Sequence, residues 1–292
     1  MQGIILRGIG GFFYAMDDQG EVHTLRAQNK LRRERMKPLV GDRVEMEPGA
    51  GEEDGWVLAV HPRKNQLVRP PVANVDKVLV VAAAASPDPD LAMIDRLLVN
   101  IRLAGIQPLL AVTKADLNPE NAREICRQYA RAGVSPIAVC APEGRGIAEL
   151  RQALQGSVHA LAGQSGAGKS SLINALYGLE LETGDLSRKI ERGKNTTRRC
   201  ELIPVSGGGM VLDTPGFSLL DTPLMEPEKL KELYPEFAPY EGKCFFSPCL
   251  HAYEPKCAAR DAVAEGEIDA RRHGRYVEFL EETKKRWKER YG

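Results

Sequence analysis

Residues 163–170 read Gly163-Gln164-Ser165-Gly166-Ala167-Gly168-Lys169-Ser170, which fits the phosphate-loop pattern G-x-x-x-x-G-K-[ST]. The apolar residues 157–162 before this stretch predict a strand, and residues 171–176 after it predict a helix. Because glycines let the backbone curl, successive N–H groups can point at phosphate oxygens, and the helix N-terminus adds partial positive charge. The stretch therefore predicts an α/β nucleotide-binding domain, with residues 163–170 and Ser171 around the nucleotide.

Two side chains of this phosphate loop have separate expected roles. Lys169 is expected to reach the β and γ phosphates and to assist catalysis, and the Ser170 hydroxyl is expected to ligate Mg²⁺. The alternative is a glycine-rich surface turn that carries a lysine by chance. The predicted strand and helix on either side disfavour that alternative, because the motif requires this context.

A second motif, Thr113-Lys114-Ala115-Asp116, follows the apolar residues 107–112 and lies upstream of the phosphate loop. The Asp116 carboxylate can accept hydrogen bonds from N1–H and the exocyclic amino group of guanine, a pair of donors that adenine lacks. Lys114 has an aliphatic stem that can cover the base, and the Thr113 hydroxyl can tie the two loops together. In isolation the tetrapeptide is equally compatible with a solvated turn.

The next apolar segment, residues 136–139, ends at Cys140-Ala141. Many GTPases carry a Ser-Ala pair here, with a backbone N–H bound to guanine O6, so Cys140 and Ala141 are expected to contact the nucleotide. Together with the spacing of the other motifs, this pattern predicts a site for GTP and GDP. A P-loop ATPase or small-molecule kinase is the alternative if Asp116 has no role in base recognition.

Downstream of the phosphate loop, a predicted strand ends in Asp213-Thr-Pro-Gly216. The D-x-x-G pattern suits an aspartate near Mg²⁺ and a glycine whose N–H meets the γ-phosphate, so Asp213 and Gly216 are the expected sensors. Thr197, between the two motifs, is the expected Mg²⁺-binding threonine, ahead of its neighbour Thr196. Phe217 stands where many GTPases carry a water-orienting glutamine, so slow intrinsic hydrolysis is expected.

Three of the six cysteines lie close together in residues 244–257, the cysteine loop. Cys244, Cys249, His251 and Cys257 form the pattern C-x₄-C-x-H-x₅-C and supply three thiolates and one imidazole. That ligand set is typical of a closed tetrahedral Zn²⁺ site with a structural role. The alternative is a group of buried cysteines beside an unrelated histidine, which would leave a small helical module short of core.

Composition restricts the class of protein. With 43% hydrophobic and 27% charged residues, the 292-residue chain is expected to be globular, with two or three domains. No segment approaches the roughly 20 apolar residues that cross a bilayer, so we expect a cytoplasmic protein with no membrane contact. A monomer is a separate expectation. Lys plus Arg and Asp plus Glu both number 40, so RNA would be attracted only by local basic runs. These runs lie in residues 26–37, 188–199 and 284–290.

Changes in pattern along the chain predict three domains. Residues 1–68 contain short strands between glycine-rich turns, which indicates an OB-fold β-barrel. The basic runs, each of which alone is more typical of a solvated face, favour RNA binding when they occur together with such a barrel and a zinc module. Residues 72–222 alternate continuous apolar strands with amphipathic helices, which indicates a mostly parallel sheet covered by helices. Residues 223–292 form the expected helical zinc domain, with helices predicted over 224–234 and 271–291. Because the guanine motif precedes the phosphate loop, the central domain is expected to be a circularly permuted P-loop GTPase.

The order T-K-x-D, G-x-x-x-x-G-K-S, T-T and D-T-P-G, between a small β domain and the cysteine loop, closely resembles the RsgA family over essentially the whole chain. The resemblance implies a GTPase that acts late in maturation of the small (30S) ribosomal subunit and is stimulated by it. It also implies contact with the rRNA of that subunit. Mg²⁺ bound with GTP or GDP and one structural Zn²⁺ are the expected cofactors.

One residue departs from the family pattern. Members of the family often carry a histidine just before the threonine pair, proposed to help catalysis, and this chain has Asn195 there. An amide can orient water but cannot act as a base, so Asn195 is the expected catalytic group in an altered role. Asn195 and Phe217 also leave open an RNA-binding checkpoint module that uses GTP and GDP only as conformational ligands.

Overall fold

The structure, a computed structural model, describes residues 1–50, 53–68, 70–179, 200–213 and 222–291. In these ranges, five strands form an N-terminal barrel, six form a mostly parallel central sheet, and a helical module surrounds the cysteine loop. No helix in the same ranges has the length and apolar character that a bilayer crossing needs.

The barrel is closed by pairing between its first and fourth strands. Its elements are β1 (Gln2–Ile9), β2 (Phe12–Asp17), β3 (Val22–Ala27), the short helix α1 (Asn29–Arg33), β4 (Arg43–Glu47) and β5 (Gly55–Val60). The strand order is β1-β2-β3-β5-β4, with β3 and β5 parallel. Alternate residues such as Ile5, Leu25 and Val57 fill the interior, because successive side chains of a strand point to opposite faces. The prediction of an OB-like barrel is confirmed.

A short ribbon connects the barrel to the central sheet. Its strands are β6 (Gln66–Leu67) and β7 (Val72–Ala73). Just before the ribbon, Arg63 forms an ion pair of 2.7 Å with Asp42, whose side chain is fully buried. This buried pair fastens the connection to the barrel.

The central sheet has the strand order β10-β9-β8-β11-β13-β12. Its strands are β8 (Lys77–Ala83), β9 (Gln107–Thr113), β10 (Pro136–Ala138), β11 (Val158–Gly163), β12 (Glu201–Val205) and β13 (Gly209–Asp213). Neighbouring strands are parallel except for β12, which is antiparallel to β13. The continuous apolar runs are explained by burial of both faces under helices.

In the described part of the central domain, four helices cover the sheet: α2 (Leu91–Leu103), α3 (Pro119–Tyr129), α4 (Ile147–Leu154) and α5 (Lys169–Tyr177). Helices α2 and α3 pack on one face, and α4 and α5 pack on the other. Side-chain caps start α2 and α3, since Asp90 accepts from the Met93 N–H at 2.9 Å and Asn118 from the Asn121 N–H at 3.0 Å. Because the strands other than β12 are parallel, their carboxyl ends lie along the same side of the sheet. The predicted motifs follow these carboxyl ends.

The C-terminal module is helical, as predicted. It contains α6 (Pro227–Leu230), 3₁₀ turns over Lys231–Leu233 and Pro235–Tyr240, α7 (Ala258–Ala264), α8 (Ala270–Lys288) and a 3₁₀ turn over Glu289–Tyr291. The helix predicted over residues 224–234 is wrong in extent, because the α-helix begins at Pro227 and Pro235 disfavours helical geometry in the residue before it. Tyr276 packs edge-on against Tyr234 and Phe237, with ring centroids 4.8 and 4.7 Å apart.

Helix α8 packs against α2 through buried charges. Arg272 donates hydrogen bonds to Asp95 on α2 and, at 2.5 Å, to Glu236, and these three side chains are at most 3% exposed. Arg275 and Tyr129 also donate to Asp95, at 2.5 and 2.7 Å. Burial lowers the pKa of Arg272, but the carboxylates of Asp95 and Glu236 more than offset this and raise it overall. The module is thereby attached to the central domain.

The barrel and the central sheet meet edge to edge. Strands β1 and β12 pair through Arg7 and Glu201, the one register pair between them in the described part of the chain. Leu6, next to Arg7, joins the apolar core beneath α2. Strand β1 therefore contributes to both bodies.

Candidate functional site

The phosphate loop lies between β11 and α5, at the edge where the parallel strands end. Gly163 has a φ of 141°, and a Cβ there would lie 2.2 Å from the Val81 carbonyl oxygen, so a side chain would collide with the neighbouring strand. Gly168, with a φ of 90°, caps α5. The strand, loop and helix expected around the motif are all present.

Lys169 is held against the loop. Its ammonium group donates to the carbonyl oxygens of Gly163 at 2.9 Å and Gln164 at 2.8 Å. Burial lowers the pKa of this lysine. The cation therefore lies where a phosphate bound by the loop would meet it.

The guanine motif and the phosphate loop are joined by hydrogen bonds. The Thr113 hydroxyl donates to the Ala167 carbonyl oxygen at 2.6 Å, which is the contact that the sequence analysis expected of this side chain. Lys114 has a φ of 55°, and its ammonium group donates to the carbonyl oxygens of Gly166, at 3.0 Å, and Ser86. The two loops are therefore joined by a buried hydrogen bond between residues 54 positions apart in sequence.

The end of β10 lies beside the guanine motif. The Ala115 N–H donates to the Val139 carbonyl oxygen at 3.2 Å, and Asp116 is exposed at this edge. Burial raises the pKa of the Cys140 thiol, and a hydrogen bond to the Asp116 carboxylate contributes to the increase. Cys140 and Arg145 exchange two backbone hydrogen bonds of 3.1 Å, so the Cys140 N–H is engaged within its own loop.

A segment that the sequence analysis did not single out borders the same loops. Ser86 accepts from Lys114, as described above, and the Asn121 side chain donates to the Ala84 carbonyl oxygen at 2.7 Å. The Asp90 N–H donates to the Gln164 side chain at 3.4 Å, so the start of α2 touches the phosphate loop. The run Ser-Pro-Asp-Pro at residues 86–89 is the available sequence signal, because it marks a structured turn between strand and helix.

Ser170 and Asp213 lie at the same edge of the sheet. Strands β11 and β13 are parallel neighbours, so the first turn of α5 and the end of β13 follow adjacent strand ends. Asp213 is half-buried, and burial raises the pKa of its carboxyl group. The negative charge of the nearby Glu201 is a second, smaller cause of the same increase. A hydroxyl and a carboxylate are hard oxygen ligands, and Mg²⁺ usually keeps several waters, so this donor set fits Mg²⁺.

Several residues that the sequence analysis singled out lie outside the described residues: Asn195, Thr196, Thr197, Gly216, Phe217 and the basic run 188–199. The roles given to Asn195, Thr197 and Gly216 in catalysis and Mg²⁺ binding stay predictions.

The cysteine loop brings its four predicted ligands together, with the ligand atoms of Cys244, Cys249, His251 and Cys257 all within 4.8 Å of one another. The Cys257 sulfur is 3.6 Å from that of Cys249 and 3.8 Å from that of Cys244, and His251 Nδ1 is 3.4 Å from the Cys257 sulfur. Tetrahedral bonds of about 2.3 Å to sulfur and about 2.0 Å to nitrogen give ligand separations of about 3.8 and about 3.5 Å. The Cys₃His cluster is compatible with Zn²⁺ in size and ligand type.

Residues outside the pattern orient the His251 ring. Its Nε2 lies 2.7 Å from Glu241, and Lys231 donates to the other oxygen of that carboxylate at 2.8 Å. A carboxylate hydrogen-bonded to Nε2 holds the imidazole ring in the orientation and tautomer in which Nδ1 can bind a metal. The sequence analysis missed Glu241, and its position just before Cys244 is the one signal that pointed to it.

Exposed aromatic rings lie on the cysteine loop. Phe245, Phe246 and Tyr253 are 68%, 47% and 64% exposed. The rings of Phe245 and Phe246 are 5.0 Å apart, and the Lys256 ammonium group lies 4.7 Å from the Phe245 ring centre. Rings beside a cation can stack on unpaired nucleotide bases.

The outer face of the barrel also pairs rings with arginines. The guanidinium of Arg7 lies 4.2 Å from the Tyr14 ring centre, and that of Arg26 lies 4.5 Å from the Phe12 ring centre. Trp56, opposite Arg26 on β5, is exposed. OB-folds bind oligonucleotides with surfaces of this kind.

Comparison with known proteins gives family matches along most of the chain. Residues 60–223 match the family described as RsgA GTPase, and residues 2–57 match the RsgA N-terminal domain. The chain is 40% identical to the small ribosomal subunit biogenesis GTPase RsgA of Caldanaerobacter subterraneus subsp. tengcongensis, over 100% of this chain and 98% of the relative. It is 43% identical to the protein of the same name from Geobacillus kaustophilus, over 99% of each.

Two solved structures are similar over nearly the full chain. YjeQ from Thermotoga maritima superposes with a TM-score of 0.83 at 35% identity, covering 97% of this chain and 98% of that one. YloQ, described as a circularly permuted GTPase, superposes with a TM-score of 0.80 at 33% identity, covering 98% and 95%. The permuted fold expected from the order of the motifs is confirmed.

Proposed function

The chain belongs to the RsgA GTPase family, and on that premise we propose that it hydrolyses GTP to GDP and phosphate during biogenesis of the small (30S) ribosomal subunit. The hydrogen bond from Thr113 to Ala167 carries the proposal within this chain, because it joins a guanine motif to a phosphate loop in one site.

The guanine nucleotide is proposed to lie along the surface that these two loops form. Residues 163–170, with Ser171 and the Lys169 ammonium group, bind the phosphates, and the Lys114 stem covers the base. Asp116 accepts the two guanine donors.

The O6 contact is assigned to the Ala141 N–H, because the Cys140 N–H is engaged by Arg145. Cys140 supports the base contact indirectly, through the hydrogen bond between its thiol and Asp116.

Mg²⁺ bound with the nucleotide supplies positive charge to the β and γ phosphates. Ser170 and Asp213 are its proposed protein ligands, together with Thr197. Lys169 adds a second positive charge at the loop, and the Gly216 N–H is assigned to the γ-phosphate.

Asn195 is proposed to orient the attacking water, because its amide can form hydrogen bonds but cannot take the proton as a base. The free protein is therefore expected to hydrolyse GTP slowly, and the bound subunit to complete the catalytic arrangement. Asn195→Ala should lower subunit-stimulated hydrolysis more than GTP affinity. Equal effects on both quantities would contradict this role.

One structural Zn²⁺ is proposed at Cys244, Cys249, His251 and Cys257. The cluster leaves no ligand position for substrate, which supports a role in holding the module together rather than in catalysis.

Contact with rRNA is proposed at two surfaces, the outer face of the barrel and the aromatic rings of the cysteine loop. Both combine exposed rings with cations, which suits stacking on unpaired bases and attraction to phosphates.

The proposed domains are residues 1–68, 72–222 and 223–292, acting as a monomer in the cytoplasm. The family match that ends at residue 223 supports the second boundary, and the matches meet between residues 57 and 60, ahead of the proposed first boundary.

Multiple-turnover GTP hydrolysis, measured with and without purified small ribosomal subunits, tests the proposed function. We expect slow hydrolysis by the free protein, acceleration by small subunits and no acceleration by large subunits. A rate that small subunits leave unchanged would favour a checkpoint module that uses the nucleotide as a conformational ligand.

A further inference from the structure

A row of three charged residues connects the barrel to the proposed Mg²⁺ ligand. Arg7 on β1 lies opposite Glu201 on β12, and Glu201 lies opposite Asp213 on β13. Residues directly opposite on neighbouring strands project from the same face of a sheet. Val211, two positions before Asp213, packs into the core beneath α5 from that face. The row therefore lies on the side of the sheet that carries the phosphate-loop helix.

Arg7 is the counter-charge of Glu201. Its Nη1 lies 3.4 Å from Glu201 Oε1, and this is the ion pair that Glu201 makes within the described ranges. The two side chains are 41% and 43% exposed, so the pair is open to solvent and to substitution. On its other side, the Arg7 guanidinium lies over the Tyr14 ring, which holds it at the edge of the barrel.

Glu201 would disturb the Mg²⁺ site if it were not neutralised. Carboxylates directly opposite each other on neighbouring strands repel. A second free carboxylate beside Asp213 would also offer the cation an alternative ligand away from the nucleotide, since Mg²⁺ prefers carboxylate oxygens.

We propose that Arg7 is a positioning residue of the nucleotide site, which pairs with Glu201 and so keeps Asp213 as the carboxylate that serves Mg²⁺. The proposal rests on the proposed Mg²⁺ role of Asp213. Arg7, a residue of the barrel, would then neutralise a carboxylate next to the proposed Mg²⁺ ligand of the central domain.

The pairing predicts different effects for the two single substitutions. Arg7→Gln leaves Glu201 as an unpaired carboxylate beside Asp213 and should raise the Mg²⁺ concentration that gives half-maximal binding of a fluorescent, non-hydrolysable GTP analogue. An increase of up to about fivefold is expected, the size of effect that an exposed ion pair produces. Glu201→Gln removes the competing carboxylate and should leave that concentration close to the wild-type value. The double variant also lacks the unpaired carboxylate, so its midpoint should return close to that of the wild type.

Two control variants separate charge from structural damage. Arg7→Lys keeps the charge and should keep the wild-type midpoint. Arg43→Gln removes an exposed arginine from β4, outside the row, and should change nothing. A purely structural role of Arg7 and Glu201 would instead weaken analogue binding in both single variants.

A raised midpoint in Arg7→Gln that returns to the wild-type value in the double variant supports the proposal. An unchanged or lowered midpoint in Arg7→Gln, or a raised midpoint that the double variant keeps, overturns the proposal alone while the wild type still responds to Mg²⁺. Analogue binding by the wild type that does not respond to Mg²⁺ overturns the assignment of Asp213 and the proposal with it.

Discussion

Arg272 on α8 and Asp95 on α2 form an ion pair with both side chains at most 3% exposed, although 177 positions separate them in sequence. The pair joins the C-terminal module to the helix whose first residues touch the phosphate loop through Asp90 and Gln164. The C-terminal module and the nucleotide site are therefore connected by one helix.

Asp95→Ala would leave Arg272 and Arg275 without a shared buried counter-charge. We expect it to lower the free energy of unfolding by about 3–5 kcal/mol, the usual cost of breaking a buried pair from one side. Urea denaturation measures this. Glu281→Ala, at an exposed ion pair with Lys284, is the control and should cost less than about 1 kcal/mol. Equal losses in the two variants would contradict the structural importance of the buried pair.

Thr113→Val removes the hydroxyl that links the guanine motif to Ala167. The dissociation constant for GDP should rise about tenfold, because a buried carbonyl left without its hydrogen bond costs about 1–3 kcal/mol. Titration with a fluorescent GDP analogue measures it. Thr24→Val, at an exposed position on β3, should have no effect. Unchanged affinity in Thr113→Val would mean that the loops keep their arrangement without this bond.

Asp116→Asn replaces an acceptor of two hydrogen bonds by an amide. GTP affinity should fall by about 100-fold or more, since two charge-assisted bonds are lost. Affinity for xanthine nucleotides should improve, because the amide can donate to the oxygen that replaces the guanine amino group. Competition among GDP, XDP and ADP measures both effects. A parallel loss for all three nucleotides would exclude Asp116 from base recognition.

Purified protein should contain about one zinc per chain, measured by elemental analysis. Cys249→Ser should remove the metal and lower the thermal unfolding temperature, because structural Zn²⁺ contributes on the order of 10 kcal/mol to the folding of such modules. Cys126→Ser alters a half-buried cysteine outside the cluster and is the matched control. A metal-free protein of unchanged thermal stability would refute the zinc assignment.

Replacing Phe245 and Phe246 together by alanine removes two exposed rings from the cysteine loop. Binding to the small subunit should weaken about tenfold or more, because stacking contributes about 1–3 kcal/mol per base. GTP affinity should not change. Leu224→Ala, which truncates another exposed apolar side chain of the module, should bind the subunit normally. Normal binding by the double variant would remove the cysteine loop from the proposed rRNA contact.

Features that depend on a few neighbouring residues could be predicted from the sequence. The glycines of the phosphate loop, the alternation in β1 to β5 and the spacing of Cys244, Cys249, His251 and Cys257 each encode local geometry. The role of each pattern can be predicted from the sequence because each is typical of one kind of structure or site.

Contacts between distant residues could not be predicted in this way. Asp95 and Arg272 look like ordinary charges on helix surfaces, and tertiary packing alone buries them. Likewise, nothing near Arg7 indicates that a residue 194 positions away pairs with it. Glu241 lies close to Cys244 in sequence, but its contact with His251 depends on how the loop folds.

The contact between α2 and α8 also affects how the chain can be divided and how it is synthesised. A fragment beginning at residue 222 would lack Asp95, the carboxylate shared by Arg272 and Arg275, and a fragment ending at residue 213 would leave Asp95 without an arginine partner. Each fragment would be less stable than the same residues within the whole chain, because it keeps only one side of a buried ion pair. During translation, the nucleotide-binding domain therefore reaches its full stability only after residues 270–288 have left the ribosome.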